Sequence, residues 1–313
     1  MRILVTGANG FIGAAVVRQA VRDGHEVIAV LRPEGNSQRL DTLLSQITVL
    51  RLDLRNFGAV AAAIENSSPN ALIHCAWAGV NQKLRMDNIQ YSDNLGSACN
   101  LVESLARRGS SKFVGIGSQA EYGLLAGPIA ETDLPRPTTL YGASKLATCI
   151  LTDQLARQFN LPFAWMRVFS AYGPDDNPHW LIPSLIDQML RGERPKTTAG
   201  EQRWDYLFID DLARAVLKVA CQSDAQGVFN LGSGIPVQVR TLIEKLREIA
   251  SPNLEVGFGE IPYRSDQIWH MQANISRLSS TTGWKPTISI DDGLAMTVDW
   301  RRRSKNAATI NAA

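Results

Sequence analysis

Short apolar runs alternate with longer amphipathic stretches through the first half of the chain. The runs at 2–6, 26–31, 48–52, 71–76, 112–117 and 162–169 read as strands. Helical spacing occupies the intervals between them. One helix opens in the glycine-rich turn after the first strand and runs to about residue 23. Another covers 95–107, with Leu95, Cys99, Val102 and Leu105 on one stripe, and a third covers 141–159. Strands and helices alternating at this length predict an α/β fold, a parallel sheet covered by helices on both faces. After Pro174 the pattern breaks up. Prolines at 178, 183 and 195 and tryptophans at 180 and 204 interrupt it, and 210–220 and 239–249 still read as helices. The expected organisation is a larger lobe over 1–173 with contributions from 206–233 and a smaller lobe mainly over 174–303. The small polar tail over 304–313 is expected to be flexible.

Composition narrows the classes. A net charge of +2 gives no broad electrostatic case for nucleic acid or a membrane surface. No run approaches the ~18 apolar residues of a membrane span. The chain opens directly on a strand, so no signal peptide is expected and the localisation expected is cytoplasmic. Cys75, Cys99, Cys149 and Cys221 form no C-x-x-C pair and read as reduced thiols packed as small hydrophobes. His25, His74, His179 and His270 are scattered, with no metal-ligand spacing, so no metal is expected. The arginine run at 301–303 reads as a solvated helix end.

Two motifs then carry chemistry. Gly7-Ala8-Asn9-Gly10-Phe11-Ile12-Gly13 follows a strand and opens a helix. Glycine there permits a tight turn and close approach to a pyrophosphate, and the helix amino terminus offers unpaired amides to phosphate. Tyr141 and Lys145 stand four residues apart, on one face of a helix. An ammonium favours a nearby phenolate, which makes Tyr141 a proton donor and acceptor suited to carbonyl reduction or alcohol oxidation.

Together with Arg167-Val168-Phe169-Ser170-Ala171-Tyr172-Gly173-Pro174, these motifs resemble the extended short-chain dehydrogenase/reductase family, the NAD-dependent epimerases and dehydratases. The resemblance covers essentially all of 1–300. It implies a Rossmann-like doubly wound domain holding a nicotinamide dinucleotide and a smaller carboxy-terminal lobe for a nucleotide-diphosphate sugar. It also implies a homodimer built on the helices near 94–108 and 141–158. The cofactor residues it implies are Gly7, Asn9, Gly10, Phe11, Ile12, Gly13, Asp53, Leu54, Cys75, Ala76, Tyr141, Lys145 and Val168. Asp53 is the adenine acceptor, and its plain alternative is a helix cap. The second strand ends on Leu31 and Arg32, where an NAD site needs an acid. Arg32 suits a 2′-phosphate, which favours NADP(H) over NAD(H); its alternative is a solvated loop residue.

In the family a hydroxyl at the position of Ser118 hydrogen-bonds the reacting sugar oxygen, so the catalytic set is Ser118, Tyr141 and Lys145. Dehydratases carry Asp-Glu directly after that hydroxyl, and this chain has Gln119-Ala120, which cannot perform that proton work. Ser170 stands where 4-epimerases commonly carry asparagine, and Trp204 stands where many relatives carry a phosphate-facing arginine. Gln119, Ser170, Arg203 and Arg264 complete the substrate set. His74 reads as structural and Asn94 as a support of the active-site region. The segments 117–123 and 204–208 look most like nucleotide-sugar 4-ketoreductases of the CDP-abequose and CDP-paratose synthase type. The expected function is therefore NADPH-dependent reduction of the C4 carbonyl of a nucleotide-linked 4-keto-deoxyhexose, in deoxysugar or lipopolysaccharide synthesis. The alternatives are an NAD-dependent 4-epimerase, a reductase of a non-sugar carbonyl, and a non-catalytic NADP(H) sensor.

Overall fold

The computed structural model describes residues 1–109, 112–125 and 127–310. In chain order its strands begin with β1 (Arg2–Thr6), β2 (Glu26–Leu31), β3 (Thr48–Arg51), β4 (Ala71–His74), β5 (Lys112–Ser118) and β6 (Gly127–Ile129). They continue with β7 (Phe163–Val168), β8 (Ser170–Tyr172), β9 (Lys196–Thr197), β10 (Arg203–Phe208) and β11 (Gly227–Leu231). The last are β12 (Pro236–Gln238), β13 (Gly257–Phe258) and β14 (His270–Ala273). The helices are α1 (Phe11–Arg22), α2 (Phe57–Ser67), α3 (Ile89–Ser92), α4 (Leu95–Ala106) and α5 (Leu140–Gln158). After them come α6 (Leu181–Leu190), α7 (Ile209–Cys221), α8 (Val239–Ala250), α9 (Ser276–Thr282) and α10 (Ile290–Ile310).

Seven strands form one parallel sheet in the order β3-β2-β1-β4-β5-β7-β11. These strands are apolar almost throughout because both faces are covered; β5 and β7 are buried along their whole length. Val16 and Val17 of α1 join Leu212 and Val216 of α7 in the core on one face. Val60 and Ile64 of α2 join Leu101 and Leu105 of α4 on the other. Strand order reverses between β1 and β4, so the turns leaving these two strands diverge and open a crevice at their carboxyl ends. The pattern-derived strands and helices lie within one or two residues of the observed ones. The stripe on α4 is rotated, however. Its buried side is Ala98, Leu101, Val102 and Leu105, while Leu95 and Cys99 lie on the half-buried flank. All four cysteines are free thiols, and Cys221 is exposed rather than packed.

A second, mixed sheet was not legible in the pattern. It runs β12-β10-β14-β6, with β8 beside β10. Its strands are short and come from distant segments; Ala273 in β14 pairs with Ile129 in β6. Buried Asp205 in β10 draws it together. Its carboxylate accepts from the Ser233 amide and hydroxyl at 2.6 Å, from the Gly234 amide at 2.9 Å and from the Ala273 amide at 3.0 Å. Buried Asp211 in α7 accepts from the amides of Thr287 at 3.0 Å and Ile288 at 2.9 Å, fixing the entry to α10. The 301–303 run is only partly solvated. Arg301 pairs with Asp187 of α6, and Arg302 donates to the carbonyls of Ile249 and Ala250. The tail expected to be flexible is helical as far as Ile310, and residues 311–313 lie outside the described residues. No helix among the described residues is long and apolar enough to cross a membrane.

Asp205→Ala leaves three backbone amides without their acceptor, the buried Ala273 amide at a cost of about 1–3 kcal/mol. The expected result is a lower urea midpoint, with the signal of the second sheet lost before that of the parallel sheet; an unchanged midpoint would refute this role.

Candidate active site

The crevice is lined first by the turn after β1. Gly7 has φ +65°, and a Cβ there would stand 2.6 Å from the Ala76 amide nitrogen, so only glycine lets this turn pass the turn after β4. The following helix α1 begins at Gly10 with no side-chain cap and no acid in its first turn. Its unpaired amides and positive end suit a pyrophosphate. Asn9 is held from behind: its side chain donates to the Asn36 carbonyl at 2.9 Å and its own carbonyl accepts from Arg39 at 3.1 Å. Cys75 and Ala76 face this turn across the crevice, and Val168 closes β7 nearby in the sheet.

At the outer end, β2 finishes on buried Leu31 and the exposed side chain of Arg32. Arg51 of β3 shapes the loop that follows, donating to the Pro33 carbonyl at 2.9 Å and to that of Gly35. Asp53 accepts from the Arg55 side chain at 2.7 Å and from its amide at 2.9 Å. These bonds hold the Asp53 carboxyl down at about 2, so it is an ionised acceptor. The cap of α2 is Asn56, not Asp53. The crevice thus holds a turn that a Cβ would fill and an uncapped helix end, with the Asp53 carboxylate at its outer end engaged by Arg55.

Ser118 ends β5, and its hydroxyl accepts from the Ala120 amide at 3.2 Å. Thr139 caps α5 by accepting from the Gly142 amide at 3.1 Å, which places Tyr141 in the first turn. A Cβ at Gly142 would stand 2.3 Å from the Ala120 carbonyl, so α5 can approach the turn after β5 only with glycine there. The result is that the Tyr141 phenol lies beside the Ser118 hydroxyl. Burial pushes that phenol above its ordinary value; the Ser118 hydroxyl and the Arg85 charge pull it back, and Glu121 adds a small upward push. Lys145 is buried one turn along. Its ammonium donates to the Ile116 carbonyl at 2.6 Å and lies 3.7 Å from the centre of the Trp77 ring. Burial pulls it down to about 7, against the opposing pull of Glu121 and Cys75. Arg85 is a nearby cation whose charge pulls the Tyr141 phenol down, while Lys145 is directed at Ile116.

Glu121, the only acid in 117–123, is turned inward. It accepts from the Ser118 amide at 2.9 Å, the Trp165 indole at 2.9 Å and Arg167 at 2.7 Å. Gln119 and Ala120 open the same turn and are half-buried. Ser170, in β8, pairs along β10 at Tyr206. Arg203 and Arg264 lie farther out: exposed Arg203 donates to the Pro236 carbonyl at 3.1 Å and Arg264 is 3.3 Å from Asp266. Trp204 packs against the cores of both sheets, and its buried indole nitrogen has no partner. His74, 2.7 Å from the Thr6 hydroxyl, is pulled down to about 3 by burial and is neutral. Asn94 ties Ala78 to α3 by accepting from its amide at 2.7 Å. Sequence reasoning missed Trp77, Arg85 and Gln90. Only the bulky Trp77 in a segment of small residues was a usable signal; the other two lie on an irregular path with no period to read.

The family profile described as "NAD dependent epimerase/dehydratase family" matches residues 3–232. The chain belongs to this family. A probable UDP-glucuronate 4-epimerase of Rhizobium meliloti is 27% identical, with 96% of each chain covered. A GDP-6-deoxy-D-mannose reductase of Pseudomonas aeruginosa is 31% identical over 75% of this chain and 81% of its own length. Among solved structures, UDP-glucuronic acid 4-epimerase from Bacillus cereus, in complex with UDP-glucuronic acid and NAD, superposes with a TM-score of 0.84. It is 26% identical and covers 97% of this chain and 100% of its own. Family membership makes this an enzyme of the NAD-dependent epimerase/dehydratase type. It does not single out the abequose and paratose synthase type.

Glu121→Ala leaves the buried Arg167 cation unpaired, which costs about 3–5 kcal/mol. The measurement is chemical denaturation followed by tryptophan fluorescence, and a loss below about 1 kcal/mol would show that the pair is not structural.

Proposed function

We propose that this chain performs redox chemistry at C4 of a sugar carried on a nucleoside diphosphate, with Tyr141 moving the proton at the C4 oxygen. The observation that carries this reading is the approach of α5 to the turn after β5, which sets the Tyr141 phenol beside Ser118 at the carboxyl end of that strand. A bound nicotinamide dinucleotide would supply or accept the hydride. Gly7, Asn9, Gly10, Phe11, Ile12 and Gly13 would hold its pyrophosphate, with Arg32, Asp53 and Leu54 at the adenosine end and Cys75, Ala76 and Val168 along the crevice. Lys145 would hold the nicotinamide ribose. Ser118 holds the sugar oxygen, Ser170 contributes from β8, and the smaller lobe over 174–303 supplies Arg203 and Arg264 for the nucleotide diphosphate.

Full-length likeness to a 4-epimerase and to a structure with bound NAD puts 4-epimerisation first. One observation favours C4-ketoreduction with NADP(H). The second strand ends on Leu31 and Arg32, with no carboxylate at the place of a ribose acceptor. Dehydration lacks support, because Glu121 is engaged by Arg167 and Gln119-Ala120 offers no acid and base. The exposed side of α5 carries Ile150, 58% exposed, and Leu151, 42% exposed, which suits the same face of a second copy.

Tyr141→Phe is expected to keep dinucleotide affinity and to lower turnover by about 10²–10⁴-fold; wild-type turnover in this variant would sink the assignment. Cofactor released by denaturing the purified protein discriminates the two directions. Retained NAD with activity needing no reductant marks the epimerase, whereas an empty site with NADPH oxidation by a 4-keto sugar marks the reductase. Ile150→Glu combined with Leu151→Glu is expected to convert a dimer to a monomer in light scattering, and an unchanged mass would rule out this face.

A further inference from the structure

The loop between β4 and α3 is held more firmly than its irregular path suggests. Fully buried Gln90 accepts from the Trp77 indole at 2.8 Å and donates to the carbonyls of Gly79 at 2.6 Å and Leu84 at 2.8 Å. Asn94 donates to the carbonyls of Ala78, Ile89 and Gln90. The amide of Tyr141 donates to the Arg85 carbonyl at 2.9 Å, which fixes residue 85 against the helix turn that carries the phenol. Within this satisfied frame one group is left over. The Arg85 guanidinium lies 5.3 Å from the centre of the Tyr141 ring and 5.9 Å from that of Trp180. Its Nε is buried without a hydrogen-bond partner, and no acid side chain forms an ion pair with it among the described residues. A guanidinium is always charged and offers five N–H donors, and an unmet buried donor is unfavourable. An oxygen-bearing ligand in the crevice removes that deficit.

We propose that Arg85 is a substrate-binding residue, its guanidinium donating to an oxygen substituent of the sugar held beside Tyr141. The inference rests on the nucleotide-sugar reading above. It assigns recognition of the sugar, as distinct from the diphosphate, to the loop after β4. It also gives Arg85 a second effect, because its charge favours the phenolate. The groups facing the phenol are Ser118 at the end of β5, Glu121 in the turn behind it and Arg85 in the loop. Lys145, one turn along α5, is directed at Ile116.

Isothermal titration calorimetry of wild type, Arg85→Gln and Arg85→Lys tests this, using UDP, CDP, dTDP and GDP, each free and as its glucose conjugate, with UDP-glucuronate added. The expected result is that Arg85→Gln weakens the bound sugar nucleotide at least tenfold, changes the free diphosphate less than twofold, and is partly rescued by Arg85→Lys. In pH–rate profiles the limb that follows Tyr141 ionisation moves to higher pH in Arg85→Gln and returns towards wild type in Arg85→Lys. Equal sugar-nucleotide affinity in Arg85→Gln and wild type overturns the assignment. So does an equal loss for the free diphosphate, which would place Arg85 on the phosphates. A wild-type chain that binds no member of the panel overturns the nucleotide-sugar reading, and this inference falls with it.

Discussion

Glu121 brings a carboxylate into a fully buried position, and much of the molecule is arranged to make that tolerable. A buried charge is stable only when paired and hydrogen-bonded on every side. Arg167 of β7 supplies the opposite charge, the Trp165 indole a donor from the same strand, and the Ser118 amide a donor from β5. The network then extends outward. Arg167 lies 4.4 Å from the centre of the Tyr122 ring, and the Tyr122 hydroxyl donates to Asn230 of β11 at 2.7 Å. Asn230 donates to the Ile129 carbonyl of β6 at 2.8 Å. One ion pair thereby links three strands of the parallel sheet to the edge of the second sheet.

The reactive group inherits its position from this arrangement. Ser118 sits where it does because Glu121 grips its amide, and Tyr141 reaches Ser118 because Gly142 lets α5 close on the same turn. The carboxylate that anchors the turn is thus withdrawn from the crevice. What remains for chemistry there is a hydroxyl, a phenol and two cations, one directed at Ile116 and Trp77 and one lying over Tyr141. Such a set lacks the further acid and base that elimination requires.

Legibility in the sequence followed the range of the interactions. The strands of the parallel sheet were readable because burial on both faces makes each an uninterrupted apolar run. The glycine turn, Ser118 and the Tyr141–Lys145 spacing were readable because each lies within a few residues of a strand or helix end. The second sheet was not, since β10 and β14 pair residues 67 positions apart and β14 and β6 residues 144 apart. Arg85 was hidden for the same reason. Nothing local distinguishes it from a solvated loop arginine until α5 and Trp180 close around it.

The sequence by itself determined the α/β class, the glycine turn after the first strand and the Tyr141–Lys145 spacing on one helix, because periodicity, φ freedom and side-chain spacing are local properties. Tertiary structure decided which charges act on which groups. Lys145 and Arg85 carry the same charge, and Glu121 and Asp53 the same opposite one, but burial and neighbours assign them different tasks. Electrostatic effect depends on distance and desolvation, and neither exists until the chain has folded.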